Sequence, residues 1–197
     1  MATAFSNVDF SAVNTPPVER FNPAWFVVQT YSRCEQRVAK DLSAKGFETY
    51  LPLLRELRQW SDRKKMVETP AFSGYVFTRC EPSLRNRVRV LETGGIVRML
   101  GGNHEPSKIC DFEIDALRRT LTSGVPCDRC DSFVPGALVR VKSGPLAGVQ
   151  GRLARVKNSL RLVISITVVA RAVLAELGTD EVEVVHSSAP TAMSRLA

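Results

Sequence analysis

The spacing of apolar and polar positions changes character twice along the chain. Residues 1–22 have little periodicity and are rich in Ser, Asn, Thr and Pro, which predicts a disordered N-terminal extension. From Pro23 the pattern becomes regular. "WFVVQTY", Trp25 to Tyr31, has the β-branched and aromatic content of a strand. It runs into "SRCEQRVAKDLSAKG", where Ser32 and Glu35 stand at capping-box spacing, Val38 and Leu42 share one helical face, and Gly46 supplies a stop. "ETYLPLL" predicts a strand, "RQWSDRKKMVE" a polar hairpin, "PSLRNRVRVLE" a short helix and "GIVRML" another strand. "DFEIDALRRTLTSG" predicts a helix that groups Ile114, Leu117 and Leu121 on one face, with acids in its first turn and Gly124 at its end.

The segment "TPAFSGYVFTRC", Thr69 to Cys80, does not divide into an inside and an outside. As an extended chain it puts Phe72 and Val76 on one parity and Tyr75 and Phe77 on the other, so both faces carry apolar bulk. A second core layer or a partner surface would each account for this. Beyond it, "VPCDRCDSFVPG" has no periodicity and predicts a linker. Short β runs separated by glycine turns follow, in "ALVRVKSGPLAGVQGRLARV", "SLRLVISITVV" and "DEVEVV", and suit a small closed barrel. The expected organisation is α+β: an extension over 1–22, a domain over 23–124, a linker over 125–132, a barrel over 133–186 and a disordered tail over 187–197. "LRLVISITVV" favours strand, whereas "ARAVLAEL" is also compatible with helix.

A chain of 197 residues accommodates two modest domains. Its net charge of +7, from 27 basic and 20 acidic residues, favours an anionic partner such as nucleic acid. The N-terminus lacks the basic start and apolar core of a secretory signal, and the run from Leu160 to Leu177 is too polar to span a membrane, so a soluble cytoplasmic protein is expected. Five irregularly spaced cysteines argue against a disulfide framework.

Catalytic patterns are scarce, and the chain is expected to be neither an enzyme nor a cofactor protein. His104 and His186 have no nucleophile motif around them, and there is no P-loop, G-x-G-x-x-G or H-E-x-x-H. Cys127 and Cys130 form one C-x-x-C, which leaves a zinc or dithiol protein as a reading of a different class. A structural zinc would need a second ligand pair, and a reactive dithiol would need a helix N-terminus.

In order and spacing, "WFVVQTYSRCEQRVAKDL", "YLP", "RKKMVETPAFSGYVF", "TGGIVRMLGG" and "GALVRVKSGPLAGVQGRL" resemble the NusG family of transcription elongation factors, from Pro23 to Val185. The last of these is the KOW motif, carried here by Gly136, Val139, Gly144, Pro145, Gly148 and Gly151. The resemblance implies an N-terminal NGN domain, an antiparallel sheet flanked by helices, joined by a linker to an SH3-like KOW barrel. It also implies a monomeric, non-enzymatic factor that binds RNA polymerase across its DNA channel, keeps the clamp closed, and suppresses pausing and termination. By motif, the surface seated on the clamp helices would comprise Val27, Phe72, Tyr75, Phe77, Met99, Ile114 and Leu117, with Asn86 and Arg87 at a gate loop. Arg33, Arg37 and Lys40, spaced as one helical stripe, and Arg63, Lys64 and Lys65 would then face upstream or non-template DNA.

"RELRQWSDRKK" is similar to the specialised UpxY-like and RfaH-like antiterminators. Where housekeeping members carry a Phe-Gly-Arg loop for Rho or a ribosomal protein, this chain has "VVARAV", Val168 to Val173. Of that loop Arg171 remains, which makes Rho binding doubtful and ribosome binding through the barrel open. A housekeeping factor coupling polymerase to Rho or the ribosome is the alternative within the family.

Overall fold

A computed structural model of the protein describes residues 22–59, 63–102, 105–130, 136–156, 159–178 and 181–184. The expected extension, His104, His186, the hairpin tip at 60–62, the end of the expected linker and the expected tail lie outside the described residues, apart from residue 22.

The N-terminal half has the element order β1 (Ala24–Thr30), α1 (Glu35–Ala44), β2 (Glu48–Tyr50), β3 (Leu53–Gln59), β4 (Lys64–Pro70), β5 (Tyr75–Cys80), α2 (Leu84–Leu91), β6 (Ile96–Met99) and α3 (Asp111–Thr122). Four strands form an antiparallel sheet in the order β2-β5-β1-β6, with Val27 opposite Phe77, while β3 and β4 pair as a separate hairpin. The alternation of β1 and β5 separates two cores. Phe26, Val28 and Val76 are buried with Val38 and Leu42 of α1 and Val90 of α2. Trp25, Val27 and Phe77 face the other way and are buried with Ile114 and Leu117 of α3.

Three local expectations need revising. "ETYLPLL" is two strands, because Pro52 has no N–H to continue a ladder, and its carbonyl instead accepts from Ala71 N–H at 2.8 Å. The capping box does not form: Cys34 precedes α1, Arg33 adopts φ +64°, and no side chain caps the helix. The buried Glu35 carboxylate accepts from Gly74 N–H at 2.7 Å, spending its hydrogen bond on a distant turn rather than on its own helix. Finally, Thr69 to Cys80 is not one strand. It ends β4, turns through Ala71 to Gly74, and begins β5 at Tyr75.

The C-terminal half comprises β7 (Cys127–Cys130), β8 (Ala137–Val141), β9 (Gln150–Val156), β10 (Ser159–Ile166), a 3₁₀ turn (Thr167–Val169), β11 (Arg171–Leu177) and β12 (Val182–Val184). All pair antiparallel, in the order β12-β8-β9-β10-β11-β7. The KOW turn closes through Gly148 N–H to Val141 C=O at 2.7 Å, and Gly144 and Gly148 both sit at φ +81°, where a side chain would be strained. Gly136 answers a different need, since a Cβ there would collide with the carbonyl of Leu153. "ARAVLAEL" is strand, and the expected linker contributes β7, whose register sets Cys130 opposite Ala172 and Cys127 opposite Ala175.

The two halves share one apolar cluster. It runs from Trp25, Val27, Phe72, Phe77, Ile114 and Leu117 to Leu162, Ile164, Ile166, Val169 and Val173 of the C-terminal strands.

Candidate functional site

The face of the sheet that carries β1 and β5 aromatic residues is built by one turn. Gly74, at φ +83°, receives Thr30 N–H at 2.8 Å on its carbonyl and gives its own N–H to Glu35, so β1, α1 and the turn before β5 are tied at one point. That tie sets Phe72 edge-on to Phe77, with ring centroids 5.8 Å apart, and starts β5 at Tyr75. Tyr50 flanks the same face, 6.3 Å from Phe77. Burial raises the Tyr50 hydroxyl from about 10 to about 12 against the opposing charge of Arg118, whose guanidinium lies 5.0 Å above both the Tyr50 and Trp25 rings.

This face is covered. Phe72 is 1% exposed, and Val27, Phe77, Ile114 and Leu117 are fully buried, while Tyr75 is half-buried. The C-terminal domain supplies the contacts around it. Arg171 stacks its guanidinium 5.3 Å above the Tyr75 ring and donates to the Ser73 carbonyl at 3.2 Å. Thr167 Oγ1 lies 2.9 Å from Glu113 Oε1 of α3, and Arg119 donates to the Ala147 carbonyl of the KOW turn. Arg129 of β7 pairs with Glu56 at 3.0 Å and also reaches Thr69.

Met99 stands apart from the other six residues expected on this surface. It lies opposite Val28 on β1, packs into the core beneath α1 and α2, and lines a small cavity of about 260 Å³ with Phe26 and Cys80. The basic residues also regroup. Arg33 lies in the left-handed turn before α1 and so leaves the expected helical stripe; Arg37 and Lys40 remain on exposed α1 positions, and Arg37 donates to Gly94 C=O at 3.3 Å. Arg63, Lys64 and Lys65 are exposed at the hairpin's far end. Asn86 is committed locally, its amide N–H to Ser83 Oγ at 3.2 Å and its side chain to Glu81 C=O, while Arg87 lines the Met99 cavity.

Comparison with known proteins identifies these parts. A family model described as "Transcription termination factor nusG" matches residues 23–118. The chain is 30% identical over 171 residues to the transcription termination/antitermination protein NusG of Pseudomonas aeruginosa, covering 81% of this chain and 97% of that protein. This chain belongs to the NusG family. Its NusG relative from Yersinia pestis is 29% identical, with 81% of this chain and 94% of that protein covered. A solved structure titled "Domain interaction in Thermotoga maritima NusG" aligns at 20% identity and TM-score 0.49, over 83% of this chain and 98% of that one.

Two features of this NusG-family chain differ from what its pattern suggested. Cys127 and Cys130 fall three apart on a strand, so they point to opposite faces: Cys127 packs with the shared cluster and Cys130 with Ala154, Val163, Ala172 and Leu174. Neither a mutual disulfide nor a shared metal suits that geometry, and burial pushes the Cys127 thiol up to about 11, away from nucleophilic use. On α2 the sequence reading missed an apolar stripe. Leu84, Val88 and Leu91, at i, i+4 and i+7, are 76%, 44% and 38% exposed, while Val90 alone of that helix is buried. The signal was present in "LRNRVRVL", whose apolar residues fall on two faces rather than one.

No helix among the described residues is long and apolar enough to cross a membrane.

Proposed function

We propose that this NusG-family protein is a non-enzymatic transcription elongation and antitermination factor. Its Phe72–Tyr75–Phe77 face seats on the clamp helices of the largest RNA polymerase subunit, the α2 end with Asn86 and Arg87 meets the gate loop, and the bound factor holds the clamp closed. No bond is made or broken. The factor favours the closed conformer because it binds that conformer better. Arg33, Arg37, Lys40, Arg63, Lys64 and Lys65 supply phosphate contacts to upstream or non-template DNA, which position the factor without reading sequence.

One observation carries this reading. The sheet's second face is aromatic and is met by a separate domain, whose polar contacts across the boundary among the described residues all use side chains, with no strand pairing between β1 or β5 and the C-terminal strands. A face of that kind can be uncovered by moving one domain, leaving the α1 and α2 core untouched. In the free chain that face is covered, so docking requires the C-terminal domain to swing away.

Within the family, the specialised antiterminator branch is favoured by "RELRQWSDRKK" and by the Val169–Ala170–Arg171 turn. Ala170 holds φ +52° there without a glycine, and Arg171 is already engaged by Tyr75 and Ser73. The test is in vitro transcription on the protein's own upstream leader and on an unrelated template. A specialised factor reduces pausing and increases terminator readthrough on its own leader alone. Equal action on both templates, with stimulation by Rho, identifies the housekeeping role instead, and no effect on either overturns the proposal.

A further inference from the structure

α2 carries an apolar stripe that the core of the N-terminal half does not use. Val90 is buried beneath the helix, while Leu84, Val88 and Leu91, at i, i+4 and i+7, are left exposed. Among the described residues nothing covers them, and the stripe runs about 10.5 Å along the helix. Its first residue, Leu84, also lines the cavity of about 260 Å³, whose apolar floor is Phe26, Cys80 and Met99. A cavity of about 150 Å³ already admits a benzene ring, so there is room for one aromatic side chain at the start of the stripe.

The described chain begins beside this surface. Ala24 pairs with Cys80 where β1 starts, and Pro23 lines a groove with Glu81, Asn86 and Arg89. Cys80 and Glu81 line both that groove and the cavity, so the two are continuous around the end of β5. Residues 1–21, which lie outside the described residues, are therefore tethered at α2. The stretch from Phe10 to Pro23 reaches up to about 43 Å, so length does not limit where Phe10 can bind. A tether also holds a segment at an effective concentration on the order of millimolar, well above that of an untethered competitor.

The charges are complementary. Ahead of Arg20 the extension has Asp9 and Glu19 and no basic residue, although the chain as a whole is +7. α2 has Arg85, Arg87 and Arg89 and no acid, and Arg85 and Arg87 flank the stripe. A second copy laid stripe to stripe would set those arginines against their equals, so the charges favour the extension as occupant.

We propose that Phe5 to Phe10 bind back onto α2 of their own chain. The Phe10 ring fills the cavity beside Leu84, Val8 and Phe5 cover Val88 and Leu91, and Asp9 meets the flanking arginines. Five extended residues cover about 16 Å, enough for the whole stripe. The contact takes the stripe out of water and occupies the helix end that holds Asn86 and Arg87. If the gate loop meets that end, a consequence that rests on the docking reading above, it competes with the extension and must displace it.

The test uses the full chain. Methyl–aromatic NOEs from Phe10 to Leu84 and Val88 are expected, with relative intensities unchanged on dilution. Phe10→Ser, a change in the extension alone, should move the Leu84 and Val88 methyl resonances. Chymotrypsin cleavage after Phe10 should be about fivefold faster or more in Leu84→Ser/Val88→Ser, whose positions are exposed and carry no core packing. Absence of the NOEs, or equal cleavage of the native and doubly substituted chains, would overturn the proposal. So would NOEs seen only between labelled and unlabelled copies, which would put the extension on a second molecule. Polymerase is absent from these measurements, so their failure is separable from failure of the docking reading.

Discussion

Glu35 shows how one side chain can position a surface it does not join. Its carboxylate is buried beside the turn that presents Phe72 and Tyr75, and its bond to Gly74 N–H is charge-assisted. Removing the acceptor takes the charge-assisted partner from the half-buried Gly74 N–H, so Glu35→Ala is expected to cost about 1.5–3 kcal/mol, read as a lower urea midpoint. A capping-box role would be worth about 0.5–2 kcal/mol, so a loss above about 2 kcal/mol marks the long-range tie. Tyr50 gives a second residue-level expectation. Its hydroxyl is raised to about 12 in the fold, whereas in the unfolded chain it ionises near 10, so the fold holds the proton longer. The stability linked to this group is therefore intact below about pH 9 and falls as pH rises towards 12. Cys80 and Cys127, each raised to about 11 by burial, act in the same direction. Tyr50→Phe should flatten, without abolishing, the loss of stability between about pH 9.5 and 12 in denaturant titrations. An unchanged slope would show that Tyr50 ionises freely in the fold.

At the scale of elements, β7 separates the structural from the reactive reading of its cysteines. With Cys127 packed into the shared cluster and its thiol raised, iodoacetamide at about pH 8 should label exposed Cys110 first and Cys127 at least tenfold more slowly, with full labelling in denaturant. Rapid labelling of Cys127 in the native protein would mean that β7 is frayed. The elements with a strong internal period were legible in the sequence: α1 and α3 from their apolar stripes, and β1 and β5 from β-branched and aromatic runs. β7 was not, because "CDRC" has no period of its own and becomes a strand through the partner it meets on β11. The Ser32–Glu35 spacing misled for a related reason. A capping box and a long-range tie use the same residues, and only the position of Gly74 in space decides between them. The shared burial of Val27, Phe72 and Phe77 with Ile114 and Leu117 was foreshadowed by the motif order that groups these residues. Met99 is set apart from the others because it lies directly opposite Val28 and so shares that residue's face of the sheet, which motif order alone does not reveal.

For the whole molecule, the proposed docking requires the aromatic face to be uncovered first, so polymerase affinity would depend on how often the two halves separate. Apparent affinity is the intrinsic value scaled by the open fraction, so weakening the closure by about 1 kcal/mol should raise the open population about fivefold. Arg171 is the place to weaken it, since it both stacks on Tyr75 and holds the Ser73 carbonyl, yet contributes nothing to the α1 and α2 core. Arg171→Ala should therefore bind polymerase several-fold more tightly than the native chain, measured at equilibrium with purified components. Tyr75→Ala makes the opposite case. It loosens the same closure but removes an aromatic anchor from the face that would dock, so it should open the molecule and still bind more weakly. Phe72→Ala is a poorer probe: the ring is buried against Phe77, and its loss costs about 3–5 kcal/mol, enough to confuse unfolding with lost docking. If Arg171→Ala and Tyr75→Ala changed affinity in the same direction, closure and docking would not share one surface, and the aromatic face would revert to an ordinary interdomain core.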